Sequence, residues 1–463
     1  MTASERPVDL LVRGGTVVTE DGQTVANVAI RDESIVAISP GEPRASRVID
    51  AEGLLVLPGG IDAHTHLNSQ WPFPDERRPA DDFASGSRGA AAGGITTVCD
   101  FVYALGDETL GEALQRVTAD ARRSHVDVAL HMVIMNLRDG YLAEVDELVT
   151  AGCPSFKFYT SDPSYIANRG AYLRVLERIG QAGGVAMFHC EDPAIVEHRR
   201  AAVLAAGHVS PSFYAQTKPV EAELSATVDA LSMASVAGVP CYVVHLSAGP
   251  VLDTAIAARE RGASVHVETR PLYLYLTDDR FEADDATAAR YIGTPPLRSD
   301  TDRERLWRGI AAGEIDVVAS DHVGFTGAQK YTAGDTFDTV PKGVANTESL
   351  LPMLYSEGVR TGRVTLEQFV GLVATNPARI FGVYPRKGTI AIGSDADLCI
   401  LDPNDRRTLS GASLHSAADL EVFDGWEVVG WPAYTISRGD VIVEHGKVVG
   451  GANRGRFIAG RPR

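Results

Sequence analysis

Eight apolar, β-rich runs alternate with helical patterns through the middle of the chain. This alternation restricts the possible folds more than any other feature. The runs are Leu54–Leu57, Ile95–Phe101, Val128–Ile134, Ser155–Tyr159, Val185–Cys190, Cys241–Ser247, Ser264–Arg270 and Asp316–His322. Stretches of helical period lie between them, among them Glu108–Arg123, Glu221–Ala237 and Asp302–Ala312. Eight β/α units over about 300 residues predict a TIM-like (β/α)8 barrel. A doubly wound open sheet is the alternative. It fits less well, because the chemically distinctive residues end strands one, four, five, six and eight. A closed barrel brings those ends together, whereas an open sheet spreads them apart.

The two ends of the chain have a different texture. Before residue 58 come short strands punctuated by Gly14-Gly15, Asp21-Gly22 and Pro40-Gly41. After residue 385 come Ala396–Leu401, Glu427–Val429 and Val441–Val443. Such short β segments cannot each bury a face alone. They are expected to pair into one small β-sandwich built from both termini. The predicted organisation is therefore 1–57 and 386–463 in the sandwich, with 58–385 in the barrel.

The chain has 463 residues, a size suited to a barrel plus an accessory domain. A net charge of −18 argues against nucleic acid or an anionic membrane as partner. It leaves an anionic small molecule open, since a local site can be positive. The five cysteines lie mostly in apolar runs without a CxxC pair. Reduced, buried thiols are expected. Met1 to Asp9 is polar and no run approaches a membrane span, so a cytoplasmic location is expected.

Chemistry enters with Pro58-Gly59-Gly60-Ile61-Asp62-Ala63-His64-Thr65-His66. Two imidazoles one residue apart on an extended segment can face one site. A lone HxH is weak. Here later strand ends add Lys157, His189, His245 and Asp321. Neutral imidazoles and carboxylates are the donors zinc prefers, and catalytic zinc keeps a position open for water. Lys157 does not fit as it stands. A protonated ammonium has no lone pair and cannot bind a cation. Burying it bare inside a barrel is costly.

These six residues resemble the binuclear site of the cyclic amidohydrolases, specifically the dihydropyrimidinase and D-hydantoinase family. Asp81-Asp82-Phe83, Ala90–Thr97, Thr294–Arg298, Asp321-His322 with Gln329-Lys330, Asn376–Gly382, Gly393–Leu398 and Gly425–Pro432 are similar to the family as well. The resemblance implies a carbamate on Lys157 made from CO2. It implies one divalent metal on His64, His66, Lys157 and Asp321, and a second on Lys157, His189 and His245. Zinc is the expected ion, with a hydroxide bridging the two. Asp321 would act as general base and then general acid while a cyclic amide, imide or ureide is opened. The resemblance also implies a homotetramer or dimer. Allantoinase and other cyclic-imide hydrolases are the enzymatic alternatives. A non-catalytic scaffold of the same family is the alternative of another class, and it is disfavoured because all six ligand types remain.

The residues that read the substrate depart from the family. Asp162 stands where the family has a tyrosine five residues after the lysine. Thr294 replaces a serine, Lys342-Gly343 replaces Asn-Gly, and Arg270 replaces a cysteine. Tyr159, Asp162, Thr294, Lys342 and Asn346 are the expected substrate contacts, with Trp71 and Phe73 as apolar contributors. An altered pocket is expected to make dihydrouracil and simple hydantoin poor substrates.

Overall fold

A computed structural model describes residues 7–68, 78–138 and 140–463. Trp71 and Phe73 lie outside the described residues. The chain begins with β1 (Val8–Thr19), β2 (Gly22–Arg31), β3 (Ser34–Ser39), β4 (Ala45–Asp50) and β5 (Leu55–Pro58). Eight barrel strands follow: β6 (Gly60–Thr65), β7 (Ile95–Val102), β8 (Asp127–Val133), β9 (Ser155–Tyr159), β10 (Val185–His189), β11 (Cys241–Val243), β12 (Val265–Thr269) and β13 (Val317–Val318). The chain closes with β14 (Leu398–Thr408), β15 (Glu427–Ser437), β16 (Asp440–Glu444) and β17 (Lys447–Val448).

Strands β6 to β13 form one parallel sheet in sequence order. A bridge between Thr65 and His322 and the His66 N to His322 O bond (2.9 Å) draw its two edges together. The other nine strands form a second, mostly antiparallel sheet in which β14 pairs with β5, so both ends of the chain share it. β1 changes partner at Gly14-Gly15: its first half pairs β4, and its second half pairs β5. The branch lets the sheet fold over a core that includes Leu10, Val28, Val56, Leu398 and Ile436.

One strand assignment needs correction. The apolar run ending at Leu57 is counted among the eight barrel runs, although the expected boundary at residue 58 leaves it on the sandwich side. It belongs to the terminal sheet, and β6 is the first barrel strand. Gly59, whose amide donates to Asp397 O, separates them. An apolar run reports burial but not which sheet buries it.

Alternation sorts the barrel strands into two faces. Ile61, Ala63, Cys99, Phe101, Ala129, Val133, Val185, Met187, Tyr242, Val244, Val317 and Ala319 fill the interior. Phe156, Phe158, Phe188, Cys190, Val243, Val265 and Val267 belong to the layer packed with the helices. Lys157 and His189 thus fall on the inward register, and Cys190 on the outward one. Gly93-Gly94 is a close-packing point. A Cβ on Gly93 would lie 2.3 Å from Glu348 O, and one on Gly94 would lie 2.6 Å from Cys399 Sγ.

A buried ion cluster ties the two sheets together. Lys387 Nζ lies 2.5 Å from Asp127 at the start of β8 and 2.5 Å from Asp397 beside β14. Arg438 also pairs with Asp127. Removing one partner of such a cluster leaves charge without compensation. Lys387→Met is therefore expected to lower unfolding stability by about 3–5 kcal/mol, read from denaturant midpoints. A midpoint equal to the parent's would show that the cluster does not hold the sheets together.

Candidate active site

All six expected residues gather at the C-terminal mouth of the barrel, where barrel sites form. His64 Nε2 and His66 Nε2 each lie 3.2 Å from Asp321 Oδ1. Their donor atoms fall within 4.8 Å of one another, the spacing of a metal cluster. β6 shifts register against β7 between Asp62 and Thr65, so simple alternation is broken where His64 sits. On the far side, His189 Nδ1 faces His245 Nε2 at 2.9 Å. The His64 and His245 ring centroids are 5.5 Å apart. His245 and Asp321 both have positive φ, +37° and +48°. L-residues adopt that region sparingly, and it tends to persist where the surroundings dictate it.

Lys157 lies between the two halves. Its Nζ is 5.1 Å from the Phe101 ring centroid and 5.4 Å from that of Tyr159. Phe101 in turn packs on both His64 and His66. No ion-pair partner for Lys157 occurs among the described residues. Burial pushes its amine down to about 8, partly opposed by Glu268 and Asp321. Burial also holds His64, His189 and His245 below the ordinary imidazole range. Neutral imidazoles are the form that binds metal. Burial opposes ionisation of Asp321, but Arg270, His64 and His66 outweigh it and keep the carboxylate charged. His245 Nδ1 is buried without a hydrogen-bond partner. The His64, His66 and Asp321 donors therefore suit a divalent metal.

Glu268 was not singled out from sequence. It accepts from His64 Nδ1 (2.8 Å), from the His245 amide (2.8 Å) and from Tyr242 Oη (2.8 Å). It thereby orients His64 with Nε2 toward Asp321, the arrangement by which carboxylates set a ligand histidine. Burial raises its carboxyl to about 7. One signal was present in the sequence: Glu268 and Arg270 are charged residues two apart at the end of an apolar strand. Glu268→Gln is expected to weaken metal affinity or turnover about 10–100-fold, measured by metal titration and rate. Unchanged affinity and rate would assign Glu268 to packing alone.

The expected substrate contacts separate into two groups. Tyr159 is in the site, 5.4 Å from the His189 ring, with its hydroxyl 2.8 Å from that of Tyr103. Thr294 Oγ1 lies 2.7 Å from Tyr214 Oη. Asn346 is buried beside His322, and neither side-chain amide atom has a hydrogen-bond partner. Asp162 is corrected. Its carboxylate caps the helix Pro163–Ala167 through Ser164 N (3.0 Å) and accepts from Tyr172 Oη (3.0 Å). Both oxygens have partners within the fold, as a short acidic side chain before proline favours. Lys342 is corrected too. It is exposed, and its ammonium turns back to Asp338 O (2.6 Å). His322 is structural: Nε2 meets Asp81 at 3.0 Å, and Nδ1 accepts from the Asn346 and Thr347 amides. His266 pairs with Arg463 at 2.8 Å, away from the mouth.

A barrel whose mouth collects histidines, a lysine and an aspartate from separate strands has the architecture of a metal-dependent hydrolase. The amidohydrolase family model matches residues 55–442, and the chain belongs to this family. It is 37% identical over 463 residues to a D-phenylhydantoinase of Escherichia coli, covering 98% of both chains. It is 35% identical over 460 residues to a D-hydantoinase of Rhizobium radiobacter, covering 97% of this chain and 98% of the other. A solved D-hydantoinase structure superposes with a TM-score of 0.94 at 34% identity, covering 98% and 99% of the two chains. No helix among the described residues is long and apolar enough to cross a membrane.

Proposed function

We propose that this protein is a metal-dependent hydrolase that opens the ring of a cyclic amide of the hydantoin or dihydropyrimidine class. The observation that carries the reading is the pairing of two donor groups around a buried lysine. His64, His66 and Asp321 would hold one divalent ion, and His189 and His245 a second. Lys157, as a carbamate, would contribute an oxygen to each. Zinc matches the donors. When bound, two such ions supply an activated water and polarise the scissile carbonyl. End-to-end similarity to D-hydantoinases supports the same chemistry.

The protein's own groups would do the rest. The Asp321 carboxylate takes a proton and returns it to the leaving ring nitrogen, acting first as base and then as acid. The Tyr103–Tyr159 hydroxyl pair offers a donor beside Lys157, in place of the family tyrosine absent at residue 162. The unpartnered Asn346 amide and the Thr294 segment are the remaining candidates for orienting a ring amide. A buried amide without a partner is costly until a ligand satisfies it. A dimer or tetramer, as the resemblance implies, is checked by light scattering.

A substrate panel tests the reading. Purified protein should contain close to two divalent ions and convert at least one 5-substituted hydantoin, dihydropyrimidine or related imide to its ring-opened product. Dihydrouracil and unsubstituted hydantoin are expected to be the poorer members, compared by kcat/KM. A chelator should abolish turnover, and added zinc should return it. Folded protein that holds both ions yet opens no ring in the panel would reject the assignment.

A further inference from the structure

Strand β12 ends on a cation that the proposed chemistry leaves without a role. Arg270 follows Thr269, and alternation places it on the same inward face as Glu268. Its side chain is 0% exposed and is among the largest fully buried side chains of the described residues. A cation so placed is tolerated only with matched partners. Its ion-pair partner and its backbone acceptors lie just beyond β13. Nη1 lies 2.9 Å from Asp321 Oδ2, an ion pair by distance though outside hydrogen-bond geometry, and Nε donates to Ser320 O at 3.2 Å. Nη2 reaches Asp321 O at 3.5 Å. The Tyr273 ring lies 5.5 Å from the guanidinium carbon. Gly293 packs against the same group, where a Cβ would come within 3.5 Å of Nη1.

The two oxygens of Asp321 are therefore divided. Oδ2 belongs to Arg270, while Oδ1 faces His64 and His66 at 3.2 Å each. The residue itself sits at φ +48°, a conformation that needs outside support. Arg270 grips both the carboxylate and the backbone carbonyls on either side of that strained residue.

We propose that Arg270 is a positioning residue for the metal site. By holding Oδ2 and the carbonyls of Ser320 and Asp321, it fixes Asp321 in the one rotamer that presents Oδ1 to the ion shared with His64 and His66. The planar fork of a guanidinium suits this three-point grip, and neither an ammonium nor the thiol of the family pattern reproduces it. The inference rests on the reading of Asp321 as a ligand and proton carrier.

The test compares Arg270→Ala, Arg270→Lys and Arg270→Met with the parent after loading with cobalt. The readouts are metal affinity, the cobalt absorption spectrum, kcat and KM. In Arg270→Ala one of the two ions should bind about tenfold more weakly or worse, with an altered spectrum. Its kcat should fall about 100-fold while KM changes little. Millimolar guanidinium should restore part of the lost kcat, and Arg270→Lys should recover less than guanidinium does. If Arg270→Ala does not fold, Arg270→Met keeps most of the buried volume without a donor and carries the same affinity and spectral readouts. A parental spectrum with both ions tight would overturn the proposal. So would a loss of activity that guanidinium cannot relieve in a folded, fully loaded variant. Failure of the hydrolase reading looks different: the parent protein itself would hold no tight ions or open no ring.

Discussion

Lys157→Ala is expected to lose metal and turnover together. The Lys157 side chain is fully buried between the His64/His66 and His189/His245 halves, with no ion-pair partner among the described residues. Its amine, displaced to about 8 by burial, is closer to the neutral form that takes up CO2 than an exposed lysine is. Removing the proposed shared ligand should free both ions. Their loss forfeits several kcal/mol of transition-state stabilisation, about 1,000-fold in rate or more. Short carboxylic acids added to the alanine variant should restore part of the activity by supplying oxygens. Lys157→Arg should not recover, because a guanidinium stays protonated. The measurement pairs metal analysis with initial rates on folded protein, and labelled bicarbonate reports the carbamate by carbon NMR. An active enzyme with an unmodified Lys157 would remove the carbamate from the mechanism.

Asp321→Asn should separate the same chemistry from the fold. An amide keeps the size of the side chain but cannot carry the proton. Turnover should fall about 100- to 10,000-fold. Arg270 would lose its carboxylate partner while remaining buried. A stability loss of about 3 kcal/mol should therefore accompany the kinetic defect. Near-parental kcat would exclude Asp321 as proton carrier. Near-parental stability would show that the Arg270 ion pair contributes little to the folded state.

Some of this was legible in residue order and some was not. Alternating runs predicted eight barrel strands, and seven of the eight coincide with observed ones. Leu54–Leu57 did not, because an apolar stretch next to Gly59-Gly60 reads the same in either sheet. Asp162 was expected at the substrate because a tyrosine was missing there. The segment Asp162-Pro163 instead starts a helix, and a local cap competed successfully for the carboxylate. Tyr159 and Tyr103 are 56 residues apart, and nothing in the sequence announces their shared hydrogen bond.

By itself, the sequence determined what depends on local pattern: the alternation of strands and helices, the inward face of the regular strands, and the ligand-type residues at their ends. Period two and side-chain chemistry suffice for that. Tertiary structure alone decided who meets whom. Barrel closure through Thr65 and His322 puts Asp321 from the last strand beside His64 and His66 from the first. The same closure sets Glu268 against His64, while pairing of β12 with β13 sets Arg270 against Asp321. These contacts join residues tens to hundreds of positions apart. They depend on distances of about 3 Å, which charge-assisted hydrogen bonds require and which no periodicity encodes.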